Sequence, residues 1–573
     1  MLFNIEINDQ QISAKRGETI MEVLDRVGVK VPTLCYMPGF SPSGGCRMCV
    51  VEVDGMEGLV PACSHPVEEW MKIKTHSPRV LKARKTNVEL LLASHPDDCL
   101  YCTRNGNCEL QDLAAELNIR ERKYQAKRQN IQIDRACSSI ERNPAKCILC
   151  GHCIRVCDEI MGVSAIEVIG RGSESRIGTT YNKGLNFTSC VKCGQCIMSC
   201  PTAALTEKPS LQPVIEALNN PELYSVVQFS PTVPAAIAEA FNLKASKDIL
   251  NLLRSAFKAM GFRQVFDVSM ASDLNIMEQA AEFIERLNKK ERLPLFTSCC
   301  PSWVKYIENQ RPQYLSHLSS TRSPQQMMGR IIKNYITKSA GQKAENVFVV
   351  SVMPCTAKKQ EAEMDRQDEN KTKYVDAVIT TRELIKMIHI LGIDFNTLEP
   401  EPTDTAFSMR SSAGMLFGIS GGALEGLLRT IGFNITGQEI SPLKNNDLRG
   451  LKTRKETRVK IGKQIFNAVA VSGLANAKLL LDDIESGRSD YQIVEVMACP
   501  FGCINGGGQR IGSDEKNLKS RMKSIYDVDD EEMVRTAHKN PIINDIYEKF
   551  LSKPNSSRNR EFLHIDRNAL TES

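Results

Sequence analysis

The sequence predicts a multidomain α+β protein in which small cysteine-rich domains precede one large α/β domain. Its 573 residues exceed the roughly 250–300 at which a single hydrophobic core stops growing. Most of the 21 cysteines fall in tight groups before residue 201, and the others are scattered through a longer region of alternating strand and helix patterns. The drop in cysteine density near Lys208-Pro209 predicts the boundary between these two parts.

The composition argues against a membrane-spanning or nucleic-acid-binding protein. Hydrophobic residues make up 42% of the chain, and no apolar run approaches the ~20 residues that cross a bilayer. No secretory signal is evident, so we expect a cytoplasmic protein, in whose reducing compartment grouped cysteines hold metal rather than form disulfides. The net charge of +5 is small, and the basic run at 119–128 predicts a solvated helix face.

The first three domains are predicted at residues 1–80, 81–125 and 138–209. In the first, the alternating residues 2–8 predict a strand that turns at Asn8-Asp9 into a second strand. Thr19 and Glu22 form a capping-box pattern, which predicts a helix ending at about Val27. The second domain is mainly helical, and the third contains the internal repeat.

That repeat consists of two C-x-x-C-x-x-C-x-x-x-C runs, the pattern of bacterial ferredoxins with two 4Fe–4S clusters. In such proteins the last cysteine of each run serves the other cluster, so Cys200 is predicted to complete the first cube and Cys157 the second. Paired zinc sites fit less well, because their ligands form two C-x-x-C halves with a long insert. The runs are Cys147, Cys150, Cys153 and Cys157, and Cys190, Cys193, Cys196 and Cys200.

Two further ligand groups precede the repeat. The glycine-rich GGCRMC segment suits a 2Fe–2S loop, in which backbone N–H groups approach the sulfurs. The other group places one histidine ahead of three cysteines at ligand spacing, which predicts a third accessory 4Fe–4S cluster of altered potential. The groups are Cys35, Cys46, Cys49 and Cys63, and His95, Cys99, Cys102 and Cys108. Cys137 belongs to neither and is predicted to be an ordinary buried or surface thiol.

The large domain, residues 210–573, is predicted to assemble one site from distant segments. Buried-strand patterns at 293–297, 347–353 and 493–497 each lead into cysteine: Cys299-Cys300, Cys355 and Cys499. Ligand sites in parallel sheets lie beyond the carboxyl ends of the strands. The cysteines are therefore expected to meet at such an edge. The tail from about Pro554 is predicted to be loosely ordered, with a strand at 562–565.

The order of these groups, followed by TSCCPSW at Thr297, MPCTAKK at Met353 and MACPFGCINGGGQ at Met497, resembles the iron–iron (FeFe) hydrogenases. It is most similar to the long monomeric clostridial type, and the resemblance covers nearly the whole chain. It implies N-terminal ferredoxin-like iron–sulfur domains followed by an α/β H-cluster domain. It also implies a ferredoxin hydrogenase that is assisted by maturation proteins and acts as a monomer, with no nucleic-acid partner.

The resemblance implies that Cys300, Cys355, Cys499 and Cys503 hold the H-cluster cube, with Cys503 bridging to a two-iron subsite that carries CO, cyanide and a dithiolate. Cys499 and Cys503 are four apart, so they can share one face of a helical turn. Lys358 would donate a hydrogen bond to a cyanide, and Gly506 to Gly508 would let backbone approach the cluster. Pocket residues would be Ser230, Pro231, Thr232, Gln325, Met353, Phe417 and Met497, although ordinary core packing explains the methionines and Phe417 equally well.

The family's proton relay is matched at all but one position. Cys299 would be the first member, and Ser319, Glu282 and Arg286 match later members. Gln279 stands where the family has a glutamate, and an amide cannot bind and release a proton near neutral pH. The adjacent Glu278 is rotated by about 100° around the helix and should point elsewhere. Slowed or rerouted proton delivery is therefore expected.

Two other functions fit parts of the sequence. A hydrogen sensor or low-turnover regulator is favoured by Gln279 but disfavoured by the retained Cys299. A non-catalytic protein of iron–sulfur assembly or electron wiring would keep the cysteine loops, but Met353, Lys358 and the GGGQ segment argue against it. Phe501 stands where the family more often has glycine, which could alter cluster potential or gas access.

Overall fold

The computed structural model describes residues 2–126, 132–243, 247–364, 373–402, 407 and 409–567. The chain divides into two compact units. The first comprises Met1–Glu159, Ser164–Thr188 and Ser199–Thr206, and the second comprises Ile160–Val163, Ser189–Met198 and Glu207–Ser573. The predicted division into four domains is finer than this partition and stays a prediction. None of the helices in the described ranges is both long enough and apolar enough to cross a membrane.

The first unit begins with a five-stranded sheet that carries one helix. Asn8 and Asp9 have φ angles of 49° and 65°, the left-handed values that a tight hairpin turn needs. The helix Ile20–Arg26 begins with the predicted Thr19–Glu22 capping box. Both predictions are confirmed. In sheet order, the strands are Gln10–Lys15, Leu2–Ile7, Lys72–Lys74, Val50–Val53 and Val60–Pro61.

Short elements make up the remainder of the cysteine-rich part. Residues 119–126 of the basic run contain no helix, so the predicted helix face is wrong for these residues, and Lys127 and Arg128 lie outside the described residues. The α-helices are Pro78–Ser94, Glu109–Glu116, His152–Arg155 and Gln195–Ser199, and the strands are Ile140–Arg142, Glu167–Ile169, Arg176–Gly178 and Leu205–Glu207.

The second unit is built on two four-stranded sheets. The first sheet is parallel throughout, and in sheet order its strands are Gln264–Asp267, Tyr224–Phe229, Val347–Met353 and Ala377–Thr380. The second is parallel except for its last, antiparallel strand, in the order Leu295–Phe296, Ile493–Met497, Gln464–Ser472 and Arg454–Ile461. The cysteine-bearing strands therefore belong to two sheets, not to one shared edge.

Helices cover these sheets, as their nearly continuous apolar strands require. The helix Ser269–Lys289 is largely buried along its first fifteen residues and carries polar groups on its inner face. The predicted strand at 562–565 is wrong, because a helix runs to Leu563 and only an isolated bridge joins His564 to Thr321. The α-helices are Leu211–Asn219, Val233–Ala240, Lys247–Ala259, Ser269–Lys289, Pro301–Gln310, Pro324–Ser339, Ala357–Met364, Thr381–Ile390, Ser412–Leu416, Gly422–Thr436, Leu474–Glu485, Glu515–Glu531, Pro541–Lys549 and Ser557–Leu563.

A buried ion network ties the helix Glu515–Glu531 to the helices Ser412–Leu416 and Gly422–Thr436. The Asp529 side chain is fully buried and accepts hydrogen bonds from Arg429 Nη1 at 3.1 Å, Arg535 Nη2 at 2.9 Å, Arg449 and Ser412. The arginines hold the pKa of Asp529 well below its usual range despite burial, which raises it. The helix Glu515–Glu531, which carries Asp529, is thereby fixed against Gly422–Thr436. This contact determines where the chain after the helix begins.

We expect Asp529→Asn to lower the free energy of unfolding by about 3–5 kcal/mol, since it leaves buried guanidinium groups without their carboxylate. The matched control is Asp530→Asn, whose side chain is 47% exposed and whose loss should change stability by about 0.5 kcal/mol or less. Urea unfolding can be followed through the fully buried Trp303. Equal effects of the two substitutions would show that the network is not a stability determinant.

Candidate functional site

A cavity beyond the carboxyl ends of the two sheets gathers the five cysteines of the large domain. Its empty volume is about 770 Å³. The loops that follow Leu295–Phe296, Val347–Met353 and Ile493–Met497 form its wall, so strand geometry brings distant segments to one place. The cysteines that line it are Cys299, Cys300, Cys355, Cys499 and Cys503.

These thiols line a cavity away from the protein surface and repel one another when ionised. Burial raises the pKa of Cys499 and Cys503 well above its usual value and that of Cys355 to about 11, and the neighbouring thiols add to each shift. Burial also raises the pKa of Cys300, although N–H groups of Ala498 and Trp303 donate to its sulfur and oppose the shift. Four thiolates can coexist here only around a compensating positive centre.

The donor set suits an iron–sulfur cube rather than a single ion. Within the described ranges, no three His, Cys, Asp or Glu side chains are arranged to hold one metal ion. Sulfur-only donors spaced around a cavity favour iron–sulfur clusters, and N–H donors to sulfur are the usual means of tuning them. Cys300, Cys355, Cys499 and Cys503 therefore fit a 4Fe–4S cube.

The predicted helical turn between Cys499 and Cys503 is wrong. Phe501 has a φ of 65° and Gly502 a φ of 96°, which turns the chain in the left-handed sense. A Cβ on Gly502 would lie 2.7 Å from the Ser420 nitrogen, so only glycine fits there. Phe501 takes a backbone conformation that costs a non-glycine residue about 1–2 kcal/mol, while its ring packs beside the Leu416–Ile504 cluster.

The glycine run Gly506 to Gly508 lies against neighbouring backbone. A Cβ on Gly506 would be 2.1 Å from the Pro354 carbonyl oxygen, and one on Gly507 would be 2.0 Å from that of Cys193. The loops that carry Cys355 and the second ferredoxin-type run therefore pack directly on this segment. Contact between loops requires glycine here, and Gly506 also lines the thiol cavity, so the predicted approach of backbone to a cluster stays a prediction.

Lys358 presents a buried ammonium to the cavity wall. Its Nζ donates to Glu361 Oε1 and Oε2 at 2.9 and 2.8 Å and to the Cys299 carbonyl oxygen at 3.2 Å. Burial lowers the pKa of Lys358, but the charge and hydrogen bonds of Glu361 outweigh it and the pKa is raised. The ammonium is thus held protonated beside the thiols, where an anionic ligand would be stabilised.

Most of the predicted pocket residues line the same cavity. Gln325 Nε2 donates to Glu361 Oε2 at 3.0 Å, which ties the amide to the Lys358 pair. Thr232 is the exception: its hydroxyl lies 3.3 Å from Ser230 Oγ and accepts from Gln509 at 3.5 Å, and it does not line the cavity. The predicted residues that do line it are Ser230, Pro231, Gln325, Met353, Phe417 and Met497.

The outer part of the predicted relay is connected by hydrogen bonds. Ser319 Oγ donates to Glu282 Oε2 at 2.6 Å, and Arg286 Nη2 donates to Glu282 Oε1 at 2.6 Å. Burial raises the pKa of Glu282, but Arg286 first and the hydrogen bonds next outweigh it, so its pKa lies below the usual value. A proton that reaches Ser319 therefore has a continuous contact to the carboxylate and the guanidinium.

The inner part is built from amides. Gln279 Nε2 donates to Asn275 Oδ1 at 2.6 Å, and Asn275 Nδ2 donates to Thr321 Oγ1 at 3.2 Å. Thr321 Oγ1 lies 2.9 Å from Ser319 Oγ, which completes a chain to the outer part. Across the residues described, no hydrogen bond joins the Cys299 thiol to Gln279. Glu278 points away from this chain, as predicted from the helical rotation.

Two of the accessory groups form compact sets in the first unit. Cys46 N donates to Cys35 Sγ at 3.5 Å. The hydrogen bond from the Cys46 thiol lowers the pKa of Cys35 to about 4, and that from Cys49 lowers the pKa of Cys63 to about 7. Four mutually close sulfurs suit a 2Fe–2S cluster. A second cavity is lined by Cys147, Cys150, Cys153 and Cys200, the set predicted for the first cube.

The other accessory ligands are positioned by short helices and loops. His95 ends the helix Pro78–Ser94 and Cys108 begins Glu109–Glu116, with Cys99 and Cys102 in the loop between them. Burial lowers the pKa of His95, which favours the neutral imidazole that a metal ligand needs. Cys190, Cys193 and Cys196 belong to the second unit, and Cys157 to the first.

Sequence reasoning missed the residues that hold the predicted ones. Glu361 lies one helical turn after Lys358, a spacing that could have indicated the ion pair. Asn275 lies one turn before Gln279 and could have been found in the same way. Ser320 contacts Glu282, and His564 contacts Ser320, only through tertiary structure, and no local pattern pairs residues so far apart in the chain.

Family models match most of the chain. One described as the iron only hydrogenase large subunit, C-terminal domain, matches residues 224–507, and an iron hydrogenase small subunit model matches 515–566. Toward the N-terminus, three more match: a 2Fe-2S iron-sulfur cluster binding domain at 2–78, an NADH-ubiquinone oxidoreductase-G iron-sulfur binding region at 84–123 and a 4Fe-4S dicluster domain at 146–204.

Relatives align over nearly the full length. The NADP-reducing hydrogenase subunit HndD of Solidesulfovibrio fructosivorans is 39% identical over 98% of both chains. Iron hydrogenase 1 of Clostridium pasteurianum is 35% identical over 98% of this chain and 99% of its own. A solved structure of the [FeFe]-hydrogenase HydA1 from Chlamydomonas reinhardtii superposes with a TM-score of 0.56 at 31% identity, covering 62% of this chain and 98% of that one.

These matches confirm the predicted fold class, with ferredoxin-like iron–sulfur domains ahead of a hydrogenase domain, and they support both an H-cluster and accessory clusters of the 2Fe–2S and 4Fe–4S types. The thiol-lined cavity lies within the segment matched to the large subunit. The chain belongs to the iron-only, or [FeFe], hydrogenase family.

Proposed function

We propose that this hydrogenase catalyses the reversible reduction of protons to H2 with electrons from ferredoxin or a similar low-potential carrier. The electrons would pass through one 2Fe–2S and three accessory 4Fe–4S clusters. The observation that carries the proposal is the cavity in which four thiols meet a fifth thiol, Cys299, and the Lys358 ammonium. A protein that only transfers electrons needs neither of these additional groups beside a cube.

In this proposal Cys300, Cys355, Cys499 and Cys503 would hold the H-cluster. When bound, the H-cluster supplies the electrons and the iron centre at which protons are reduced. The protein's part is to exclude water with apolar side chains such as Met353 and Met497. Lys358 supplies a fixed positive charge for a bound cyanide, and in a dry cavity that contact is stronger than in water.

Protons would leave and reach the site through Cys299. Burial raises the pKa of this thiol, so it is protonated at neutral pH and can regain a proton that it has given up. From Ser319 outward, the hydroxyl, carboxylate and guanidinium contacts of Glu282 and Arg286 provide the remaining path. Between Cys299 and Ser319 the proton must cross the amide-lined region around Gln279, assisted by water.

A second electron partner is favoured by one comparison. HndD is by its name an NADP-reducing hydrogenase subunit, and it matches this chain over nearly its full length. In that case the chain would exchange electrons with NADP through another subunit. A sensor or low-turnover role remains compatible with Gln279, and the kinetic experiments below separate it from efficient turnover.

Protein matured anaerobically should show infrared bands of metal-bound CO and cyanide. Cys503→Ala should abolish or displace them, because the bridging thiolate is lost. Cys137→Ala is the control, since Cys137 is a fully buried cysteine that contributes to none of the predicted groups. An unmodified spectrum in Cys503→Ala would contradict the assigned ligand, and absence of bands from the parent with intact iron–sulfur clusters would favour an assembly or wiring role.

The electron partner can be identified with the purified, matured chain. We expect H2 evolution with reduced ferredoxin as sole donor, and none with NADPH alone. NADPH should become a donor only when a separate NADP-linked subunit is added. Gas chromatography of H2 measures both reactions. Evolution from NADPH by the chain alone, or inertness toward ferredoxin, would contradict the proposed carrier.

Gln279→Glu should increase turnover by about 10- to 100-fold where proton transfer limits the rate, because a titrating carboxyl replaces an amide. The new carboxyl would meet Asn275 Oδ1 at the position of the present 2.6 Å contact, so it should be partly protonated at neutral pH. Gln279→Met is the control and should bring no gain. Unchanged turnover of Gln279→Glu, with a solvent isotope effect showing proton transfer to be limiting, would refute the interpretation.

A further inference from the structure

A polar vestibule opens from Glu282 to the protein surface. Its empty volume is about 1150 Å³. Lys289 and Arg560 at its rim have side chains that are 57% and 51% exposed, so water has access to it. Its inner wall includes Glu282, Ser320 and His564. The wall between the relay and this vestibule therefore includes a buried histidine, the residue type whose charge changes near neutral pH.

His564 is joined to Glu282 through one hydroxyl. Its Nδ1 lies 2.7 Å from Ser320 Oγ, and Ser320 Oγ donates to Glu282 Oε1 at 3.1 Å. Ser320 N also donates to the same carboxylate, at 3.1 and 3.3 Å to its two oxygens. This connection enters Glu282 at Oε1, while Ser319 occupies Oε2 at 2.6 Å. Glu282 is thus a junction between an inner and an outer hydroxyl.

The other side of the imidazole is fixed by a buried carboxylate. His564 Nε2 lies 3.0 Å from Glu278 Oε2, and the Glu278 side chain is fully buried. Tyr547 OH, the Asn555 N–H and Asn559 Nδ2 also donate to Glu278, at 2.7, 2.6 and 2.9 Å. With four partners supplied by the C-terminal segment, Glu278 orients the ring so that Nδ1 faces Ser320.

We propose that His564 is a proton-relay residue, which exchanges a proton with Glu282 through Ser320, the partly buried hydroxyl that opens onto the vestibule. In one state the imidazolium donates from Nδ1 to Ser320 Oγ, while the hydroxyl donates to ionised Glu282. In the other state both protons have moved one step. Glu282 is then a carboxylic acid donating to Ser320 Oγ, and the hydroxyl donates to neutral His564 Nδ1.

The exchange balances without moving a heavy atom. One N–H bond and one O–H bond break, and one O–H bond at Ser320 and one at Glu282 form. The Nε2 proton stays on His564, hydrogen-bonded to Glu278, in both states. The total charge of His564, Ser320 and Glu282 is therefore unchanged. Protonated Glu282 then passes its proton to Ser319 or receives one from it. This inference rests on the proposed relay through Glu282, and it adds a group that holds a proton for that carboxylate beside the vestibule.

The surrounding charges make Glu282 depend on such a supply. Arg286 and the hydrogen bonds hold its pKa below the usual value, and the charge of His564 contributes in the same direction. Glu282 alone would therefore carry few protons at neutral pH, and a neighbouring imidazolium offers one at a distance of two hydrogen bonds. The titratable and charged groups that face His564 and this carboxylate are Glu278, Glu282, Arg286, Tyr547, Arg560 and Arg567.

The test compares His564→Gln with His538→Gln. His538 is a matched control, because it is also buried and its Nε2 lies 2.9 Å from a glutamate, Glu439, outside the relay. In matured enzyme, His564→Gln should reduce H2 evolution by about tenfold and change the pH profile of the reaction. His538→Gln should leave the profile unchanged. Thermal unfolding of both variants checks that they are folded.

A second readout needs no H-cluster. The infrared band of protonated Glu282, identified by its loss in Glu282→Gln, should appear at higher pH in His564→Gln, because the positive charge that opposes protonation is gone. Ser320→Ala keeps the histidine and removes the link. It should therefore reduce H2 evolution like His564→Gln and serves in its place if that variant does not fold.

The outcomes separate the two proposals. Loss of activity in Glu282→Gln together with parental behaviour of both His564→Gln and Ser320→Ala would overturn the role of His564 and leave the relay intact. Full turnover by Glu282→Gln would overturn the relay itself. A displaced band, with reduced turnover in His564→Gln but not in His538→Gln, is the result that the proposal requires.

Discussion

The burial of mutually repelling thiols at the meeting point of two sheets is the constraint on which the rest of the catalytic unit depends. A thiolate in a dry cavity is unfavourable, and four together are more so, as the raised pKa values of Cys355, Cys499 and Cys503 express. The fold tolerates this arrangement only because parallel strands hold the loops in fixed positions and backbone N–H groups donate to sulfur. The apolar walls and the glycine contacts exclude water from that cavity. The Lys358–Glu361 pair places one fixed ammonium group in its wall.

Close contact between loops is the second requirement, and it explains features that look like cluster ligation in the sequence. Gly506 and Gly507 are fixed by carbonyl oxygens of Pro354 and Cys193, so a methyl group at either position would displace a cysteine-bearing loop. At Phe501 the chain accepts a left-handed conformation in return for packing of the ring. The same turn lies between Cys499 and Cys503. The distance between these two cysteines is therefore set by a left-handed turn of the backbone and not by a helix.

The sequence predicted what local patterns encode. We could predict the capping box at Thr19, the hairpin turn at Asn8-Asp9 and the cysteine runs, because each depends on neighbours within a few residues. Predictions from the sequence were wrong where contacts between distant parts of the chain determine the structure. The tail was expected to be loose with a strand at 562–565, yet a helix ends at Leu563 and His564 is fixed by Glu278, some 290 positions earlier in the chain. Tertiary contacts also explain why the cysteine-bearing strands lie in two sheets and not along one edge. They explain in the same way why Thr232 does not line the cavity.

The helix Ser269–Lys289 shows how one amide, Gln279, would divide the proposed relay into two chemical halves. Residues 275, 279, 282 and 286 share one face, as their spacing of three and four requires. Asn275 and Gln279 give the inner half fixed amide dipoles, which orient water but hold no proton. Glu282 and Arg286 give the outer half charge. Since Glu278 is turned toward the C-terminal segment and held by four partners, it cannot replace the missing carboxyl without breaking them. The slow step of proton delivery should therefore lie between Cys299 and Ser319, whatever the outer half supplies.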